Sequence, residues 1–102
     1  MQIDKFYRML GLAARAGKVV QGEGRVADSI RCGKAKLVIV SEDASENTKK
    51  KFQNSCEYYS VPQLVCGDRY ENGHATGKSF AVVMAVCDAG FADVLKENAQ
   101  KQ

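Results

Sequence analysis

The run Lys36-Leu37-Val38-Ile39-Val40 constrains the fold more than any other part of the sequence, because four consecutive apolar residues follow its lysine. Successive residues of a strand face opposite sides of a sheet. A strand that is apolar at every position is buried on both sides, which requires helices on both faces of its sheet. The longer apolar run Phe80–Val86 predicts a second central strand.

Segments with helical spacing alternate with the strands. The first carries apolar residues at i, i+3, i+4 and i+7, between an expected N-cap at Asp4 and an expected stop at Gly17. A second helix is predicted to start at Gly22–Arg25 and to end at Gly33. The last two helices are expected to follow capping residues and to carry apolar side chains inward, which are Phe52, Cys56 and Tyr59 after Ser45, and Phe91, Val94 and Leu95 after Asp88.

Two further strands complete the expected sheet. They are Lys18–Gln21 and Gln63–Cys66, the latter preceded by Pro62 at a position where proline is tolerated. Gly67–Gly77 is polar and contains glycines, so we expect a loop with at most a short helix. This alternation predicts an α/β fold in three layers, formed as one domain by residues 1–102.

Composition narrows the class of protein. The formal net charge of +3 permits a polyanionic partner without requiring one. The four cysteines are not spaced as C-x-x-C and there is one histidine, so we expect no metal and no other cofactor. The N-terminus lacks the apolar segment of a signal peptide, and no run approaches the length of a membrane span. These features favour a cytoplasmic monomer with free thiols and no membrane partner.

No group of residues suggests catalysis. Cys32 lies near a predicted helix C-terminus, whose dipole disfavours a thiolate, and Cys56 is expected to face inward. His74 has no Ser or Cys partner in the sequence. Glu42 and Asp43 are adjacent, so on a strand they would point in opposite directions and make a poor acid/base pair. We therefore expect a binding protein rather than an enzyme.

The segment Gly22-Glu23-Gly24-Arg25 joins the end of a strand to the start of a helix. The free N–H groups and the positive dipole end of such a helix point outward and make a ready site for an anion. The longer segment Gly22–Ala27 fits G-x-G-x-x-A, so one interpretation is a dinucleotide site with Glu42 or Asp43 on the ribose. However, the chain lacks the length for a second mononucleotide half. Another interpretation is a tight turn without a ligand.

Basic residues around the same helix start favour a nucleic-acid partner. They are Arg15, Lys18 and Arg25, followed beyond the helix by Lys34 and Lys36. Contacts from Lys and Arg to phosphates supply affinity, and contacts to bases supply specificity. A second basic segment with a glycine, His74–Ser79, precedes the last predicted strand. Loops at the same edge of a sheet can converge, so the two segments are candidates for one site.

A pattern that covers nearly the whole chain resembles the kink-turn-binding ribosomal proteins of the large subunit, and especially their small bacterial YlxQ-type branch. The matching residues are Leu10–Ala13, Gly17–Val20, Gly22, Val26, Ile30, Gly33–Val40, Glu42–Ser45, Asn47-Thr48, Tyr59, Val61-Pro62, Gly77-Lys78, Val86, Asp88 and Gly90–Ala92. The resemblance implies an α/β/α sandwich with a four-stranded mixed central sheet. It also implies binding to structured RNA, either a kink-turn or ribosomal RNA.

In that family the start of the second helix and the loop before the last strand grip the RNA. By position these segments are Gly22–Asp28 and Gly77–Phe80. Sequence-specific RNA readers act where bends and bulges expose the bases, as a kink-turn does. The resemblance and the flanking cations together give the predicted RNA-binding residues, which are Lys18, Gly22, Glu23, Gly24, Arg25, Asp28, Lys36, Gly77, Lys78, Ser79 and Phe80.

Three helix-start positions differ from the kink-turn binders, which have asparagine at Gly24, glutamate at Arg25 and lysine at Asp28. The N1–H and N2–H₂ groups of guanine are donors and suit a carboxylate, whereas arginine has no acceptor. Arg25 is instead suited to guanine O6 and N7 or to a phosphate. Glu23 is then the candidate for the missing carboxylate. A protein-interaction module that kept the fold and lost the RNA site is a further interpretation.

Overall fold

A computed structural model describes residues 3–100 as helices that alternate with the strands of one sheet. The helices are α1 (Ile3–Arg15), α2 (Glu23–Arg31), α3 (Glu46–Tyr59), α4 (Arg69–Ala75) and α5 (Ala89–Gln100). The strands are β1 (Val19–Gln21), β2 (Leu37–Val40), β3 (Gln63–Val65) and β4 (Val83–Val86), and their order in the sheet is β1-β4-β2-β3.

The sheet is four-stranded and mixed, as predicted. β2 pairs with β3 in parallel, whereas β4 pairs with both β1 and β2 antiparallel. Every residue of β2 and β4 is buried, which confirms that the two apolar runs form the central strands. Both have to be apolar throughout because each is covered on its two faces.

The helices form two layers, one on each face of the sheet. Phe6 of α1 and Leu95 of α5 pack on one face against Ile39 and Met84. Val26 and Ile30 of α2, with Phe52 and Cys56 of α3, pack on the other face against Val38 and Val40. Alternate residues of β2 thus enter different cores, as strand geometry requires. The predicted α/β/α sandwich is confirmed.

Capping residues set several helix boundaries. Ser45 Oγ accepts a hydrogen bond from the Thr48 amide at 3.1 Å, and Asp88 Oδ2 accepts from the Phe91 amide at 2.9 Å, so both predicted caps are confirmed. Asp68 begins α4 with a capping box that sequence analysis did not identify. The segment expected as a loop with at most a short helix therefore contains the seven residues of α4.

Four sequence-based expectations need correction. Tyr59 does not face inward but is 42% exposed, because it lies in the last turn of α3 beside an open groove with Pro62. Val94 is also exposed. The last strand begins at Val83 rather than at Phe80, because the Ala81 amide donates to Arg69 O in α4 instead of to a neighbouring strand. Asp4 is the second residue of α1, which begins at Ile3, so it is not the N-cap that was expected.

Thiol reactivity provides a test of this packing. We expect Cys32, which is exposed, to react first with a thiol reagent at pH 8, and Cys87, which is half-buried, to react more slowly. Cys56 and Cys66 should react only on unfolding, because burial raises the pKa of each thiol to about 11 and leaves little thiolate. Reagent uptake with and without denaturant measures this, and a fast phase that survived Cys32→Ser would contradict it.

Candidate nucleic-acid interface

The site begins at the N-terminus of α2. Gly22 is the N-cap, with a positive φ of 96° that favours glycine, and no side chain within residues 3–100 caps the helix. Its amide donates to Val83 O at 3.3 Å, which fixes the helix start beside the first residue of β4. The first-turn amides and the positive end of the helix dipole therefore face outward at this edge of the sheet.

The second part of the site is the segment between α4 and β4. The Lys78 amide donates to Gly73 O at 2.8 Å, and the Ala81 amide donates to Arg69 O at 2.8 Å, so both ends of the segment are held on α4. Gly73 is buried, and a Cβ at its position would lie 2.5 Å from Phe80 Cα. The absence of a side chain at Gly73 allows the Phe80 backbone to pass directly over α4.

A buried polar contact holds α4 in place in turn. Asn72 is completely buried, accepts a hydrogen bond from Tyr7 Oη at 2.7 Å and donates to Cys66 O at 3.2 Å. Burial raises the pKa of Tyr7, so the phenol keeps its proton and remains a donor at neutral pH. These bonds connect α4 to α1 and to the residue after β3. The Phe80 segment is thus supported by packed elements.

The two parts border one groove of about 470 Å³. Arg25 and Lys78 contribute a cation from each side, and neither makes an ion pair with another residue of the described chain. Phe80 lines the same groove and is 59% exposed, which is high for a large apolar side chain. The groove therefore combines free amides, two cations and an aromatic face.

Glu23 also lines the groove, but its carboxylate has partners on α3. Oε2 accepts from Thr48 Oγ1 at 3.4 Å, and Oε1 lies 3.4 Å from Lys51 Nζ. The distances are long and both side chains of the ion pair are about half exposed, so the pair is weak and can open to a ligand. Sequence analysis did not identify this contribution of α3.

The structure divides the predicted RNA-binding residues among several places. Gly22, Glu23, Arg25, Lys78 and Phe80 line the groove together. Two other members lie on α2 outside it: Gly24 is exposed with open space around it, and Asp28 forms an ion pair with Arg31. Gly77 and Ser79 are exposed next to Lys78 without lining the groove.

Lys18 and Lys36 are not brought to the groove. Lys18 O accepts from the Cys87 amide, and the Lys36 amide donates to Val86 O, so both lie where β4 ends. The groove lies where β4 begins. The two lysines are close in sequence to α2, but neither lines the groove. β2 carries the chain across the sheet between Lys36 and the groove, whereas Val19, the residue after Lys18, lies in the groove wall.

The groove includes residues that sequence analysis did not identify. Gln21, the last residue of β1, lines it, and its Nε2 donates to Thr76 Oγ1 at 2.7 Å, which connects β1 to the end of α4. Val19, Val82 and Val83 form part of the wall. The available signal was the position of Gln21 at the end of a predicted strand, directly before the helix start.

The geometry does not favour the dinucleotide interpretation. β4 lies between β1 and β2, so the segment from β1 through α2 to β2 does not form two adjacent parallel strands. Asp43, one candidate for a ribose contact, instead accepts from the Arg69 amide at 3.1 Å and forms an ion pair with the Arg69 guanidinium. It joins the loop after β2 to the start of α4.

Two other kinds of feature are absent from the described part of the chain. Residues 3–100 contain no group of His, Cys, Asp and Glu side chains arranged to hold a metal ion. No helix in this range is long and apolar enough to cross a membrane.

The sheet order and the two helical layers define a three-layer α/β/α sandwich with a four-stranded mixed sheet, and a groove lies between the helix start and the pre-strand loop. The sequence model of the ribosomal protein L7Ae/L30e/S12e/Gadd45 family matches residues 4–96, and the chain belongs to this family. The resemblance noted from the sequence is thereby confirmed.

Individual relatives agree with this assignment. The RNA-binding protein YlxQ of Bacillus subtilis is 48% identical over 91 residues, which are 89% of this chain and 91% of that protein. The large ribosomal subunit protein eL30 of Neurospora crassa is 36% identical over 97 residues, 89% of this chain and 85% of that protein. A solved structure of a protein of unknown function from Bacillus halodurans C superposes with a TM-score of 0.94 at 41% identity, covering 95% of this chain and 98% of that one. The chain thus falls in the YlxQ-type branch.

Proposed function

We propose that this protein binds structured RNA in the groove between the start of α2 and the loop before β4, without catalysing a reaction. The proposal rests on one observation: Arg25, Lys78 and Phe80 line the same groove, at a helix start that no side chain of the described residues caps. Two relatives named above are an RNA-binding protein and a ribosomal protein, which supports the same partner. Those relatives and the free thiols also support a cytoplasmic, ribosome-associated role.

Each part of the groove suits a different part of a bent RNA. The first-turn amides of α2 and the Lys78 ammonium suit phosphates. Arg25 suits the O6 and N7 acceptors of a guanine. Phe80 offers a face for a base that has left its stack, and such bases occur at bends and bulges rather than in a regular duplex. The combination favours a kinked RNA over a straight one.

Glu23 adds a hydrogen-bond acceptor to the groove when RNA replaces its weak contacts with Thr48 and Lys51. Guanine N1–H and N2–H₂ are donors that the Glu23 carboxylate can accept, once it releases Thr48 and Lys51. This assignment replaces the glutamate that kink-turn binders carry at the position of Arg25. Lys51, freed by the exchange, would then be available to a phosphate.

A titration tests the proposal. We expect a labelled kink-turn RNA to bind more tightly than a straight duplex or a single strand of equal length, because only the kinked RNA offers exposed bases beside phosphates. Binding should be measured by anisotropy at two salt concentrations. No binding of any RNA at low salt would contradict the proposal. Equal and steeply salt-dependent binding of all three would leave only phosphate contacts and would remove the base-reading part.

A further inference from the structure

Lys18 and Lys36 lie on the edge of the sheet opposite the groove and flank the same residue. Val86 is paired with Val19 on one side and with Leu37 on the other, so the next position, Cys87, stands between the two lysines. Residues opposite each other on antiparallel strands share a face of the sheet. Lys18 and Lys36 therefore lie on one face, roughly 10 Å apart, which is two strand spacings.

Lys34 extends this pair of cations. Lys18, Lys34 and Lys36 are exposed, and none makes an ion pair with another residue in the described range; we call these three residues the basic edge. Lys34 and Lys36 are close enough to Cys87 to act on its thiol: burial raises the pKa of Cys87, and the two positive charges oppose that rise. The charges therefore converge on the end of β4.

The acidic residues near the basic edge have other partners. Asp88 follows Cys87, but its carboxylate accepts from the Phe91 amide at the start of α5. Asp28 pairs with Arg31, and Glu57 accepts from Gln53 Nε2 at 3.4 Å. None of these carboxylates forms an ion pair with Lys18, Lys34 or Lys36, so the three ammonium groups remain available to an anionic partner.

An aromatic side chain adjoins the basic edge. Lys36 and Tyr59 line one open groove of about 290 Å³, together with Arg31 and Pro62. Tyr59 is the residue that sequence analysis expected to be buried. A cation beside an exposed aromatic ring fits a nucleic acid, in which a phosphate and a base or ribose are close together. A surface of solvated lysines alone would not offer the second feature.

Lys36 lies far from the first groove. The five residue steps from Lys36 to Ser41 along β2 span roughly 16 Å at about 3.3 Å per residue. This is about twice the Debye length at physiological ionic strength, which is about 8 Å. Lys36 and the cations of the first groove therefore do not reinforce each other at one phosphate group. Lys18 is nearer, because the next residue, Val19, lines that groove, but Lys18 itself does not line it.

We propose that the basic edge and Tyr59 form a second RNA-contacting surface, so that the protein holds two RNA segments at opposite edges of its sheet. The inference rests on the proposed function in taking RNA as the partner. The partner at the basic edge is the backbone of an RNA duplex, which has no base-specific requirement: the lysines contact phosphates, and Tyr59 contacts a ribose beside them rather than a base. The groove at the start of α2 retains the kinked segment.

Energy transfer between two RNAs tests this bridging. A kink-turn RNA carries a donor dye, and a straight duplex of about one and a half turns carries an acceptor. We expect the wild-type protein to bring the two together. Lys18→Glu combined with Lys36→Glu should abolish the transfer and weaken duplex binding roughly tenfold or more, because two phosphate contacts become repulsive. Affinity for the kink-turn RNA should change by no more than about threefold, because neither lysine lines that groove and Lys36 lies beyond the screening length from it.

A matched control separates position from net charge. Lys5→Glu combined with Arg8→Glu makes the same change in charge at two exposed residues of α1, outside both surfaces, and should leave the transfer intact. If both double variants behaved alike, or if the wild type bound the kink-turn RNA but gave no transfer, the proposal would be overturned and the first groove would stand alone. The duplex is also titrated by itself, so the basic edge is tested even if the kink-turn RNA fails to bind.

A structural role for these lysines predicts a different result. Lys36 Nζ donates to Gly33 O at 3.2 Å, so the side chain also helps to end α2. If the charge-reversed variant lost thermal stability, Lys18→Gln with Lys36→Gln would replace it, since glutamine retains a donor. Full energy transfer by the folded glutamine variant would overturn the proposal, and its loss would support it.

Discussion

Replacing both Arg25 and Lys78 with alanine is expected to weaken binding of a kink-turn RNA by roughly 30-fold to 1,000-fold, or about 2–4 kcal/mol. The two side chains are the cations of the groove, one from each side of it. An arginine contact to a guanine edge contributes about 1–3 kcal/mol of discrimination, and a lysine contact to a phosphate adds salt-dependent affinity. The slope of log K against log salt should therefore also fall, by about one for each phosphate that no longer meets a cation.

The measurement is an anisotropy titration of the variant over a series of salt concentrations. Lys5→Ala with Arg8→Ala removes the same charge outside the groove and should bind nearly as the wild type does. Circular dichroism should show both variants folded, because Arg25 and Lys78 are exposed and make no ion pair in the described chain. Unchanged affinity of the Arg25 and Lys78 variant would place the RNA site elsewhere.

Gly73→Ala is expected to destabilise the protein by about 2–4 kcal/mol, although alanine in place of glycine in a helix ordinarily gains up to about 1 kcal/mol. A Cβ at Gly73 would lie 2.5 Å from Phe80 Cα and 2.7 Å from Phe80 N. These are backbone atoms, and the hydrogen bonds of Lys78 and Ala81 to α4 hold that backbone in place. Either these bonds break, or α4 moves and the hydrogen bonds of Asn72 to Tyr7 and Cys66 O are lost, and both changes reduce stability.

Gly24→Ala is the matched control for this substitution. Gly24 also lies in a helix, but a Cβ there meets nothing within 4 Å, so the ordinary gain from alanine should appear. Chemical denaturation monitored by circular dichroism compares the free energies of unfolding. A Gly73→Ala variant as stable as the wild type would show that the segment around Phe80 is free to move. A displaced Phe80 should also weaken RNA binding, which the same titration measures.

Local features of the sequence determined most of the fold. β2 and β4 were predictable because a strand that is apolar at every position is buried on both faces, which places it at the centre of a sheet covered by helices. The Ser45 and Asp88 caps were predictable because their hydrogen bonds close within three residues. The family resemblance added the meeting of the helix start with the pre-strand loop, which Arg25, Lys78 and Phe80 now show at one groove.

The errors arose where burial depends on distant parts of the chain. Tyr59 has the helical spacing of a core residue, but it lies at the end of α3, beside an open groove. Phe80 begins an apolar run of the kind that forms strands. However, the segment from Lys78 to Ala81 is hydrogen-bonded to α4, and the Phe80 ring remains exposed. Spacing indicates which face of an element a residue occupies, and it cannot indicate whether another element covers that residue.

The sequence alone thus determined the elements, their order and the anion-ready start of α2, because these follow from periodicity, caps and glycine positions. Only the tertiary structure decided which cations share a surface. Lys18 is four residues from Gly22 and lies at the other end of β1 without lining the groove, whereas Lys78 is far along the chain and lines the groove with Gly22. The reason is the insertion of β4 between β1 and β2, a long-range pairing that brings the loop before β4 to the start of α2.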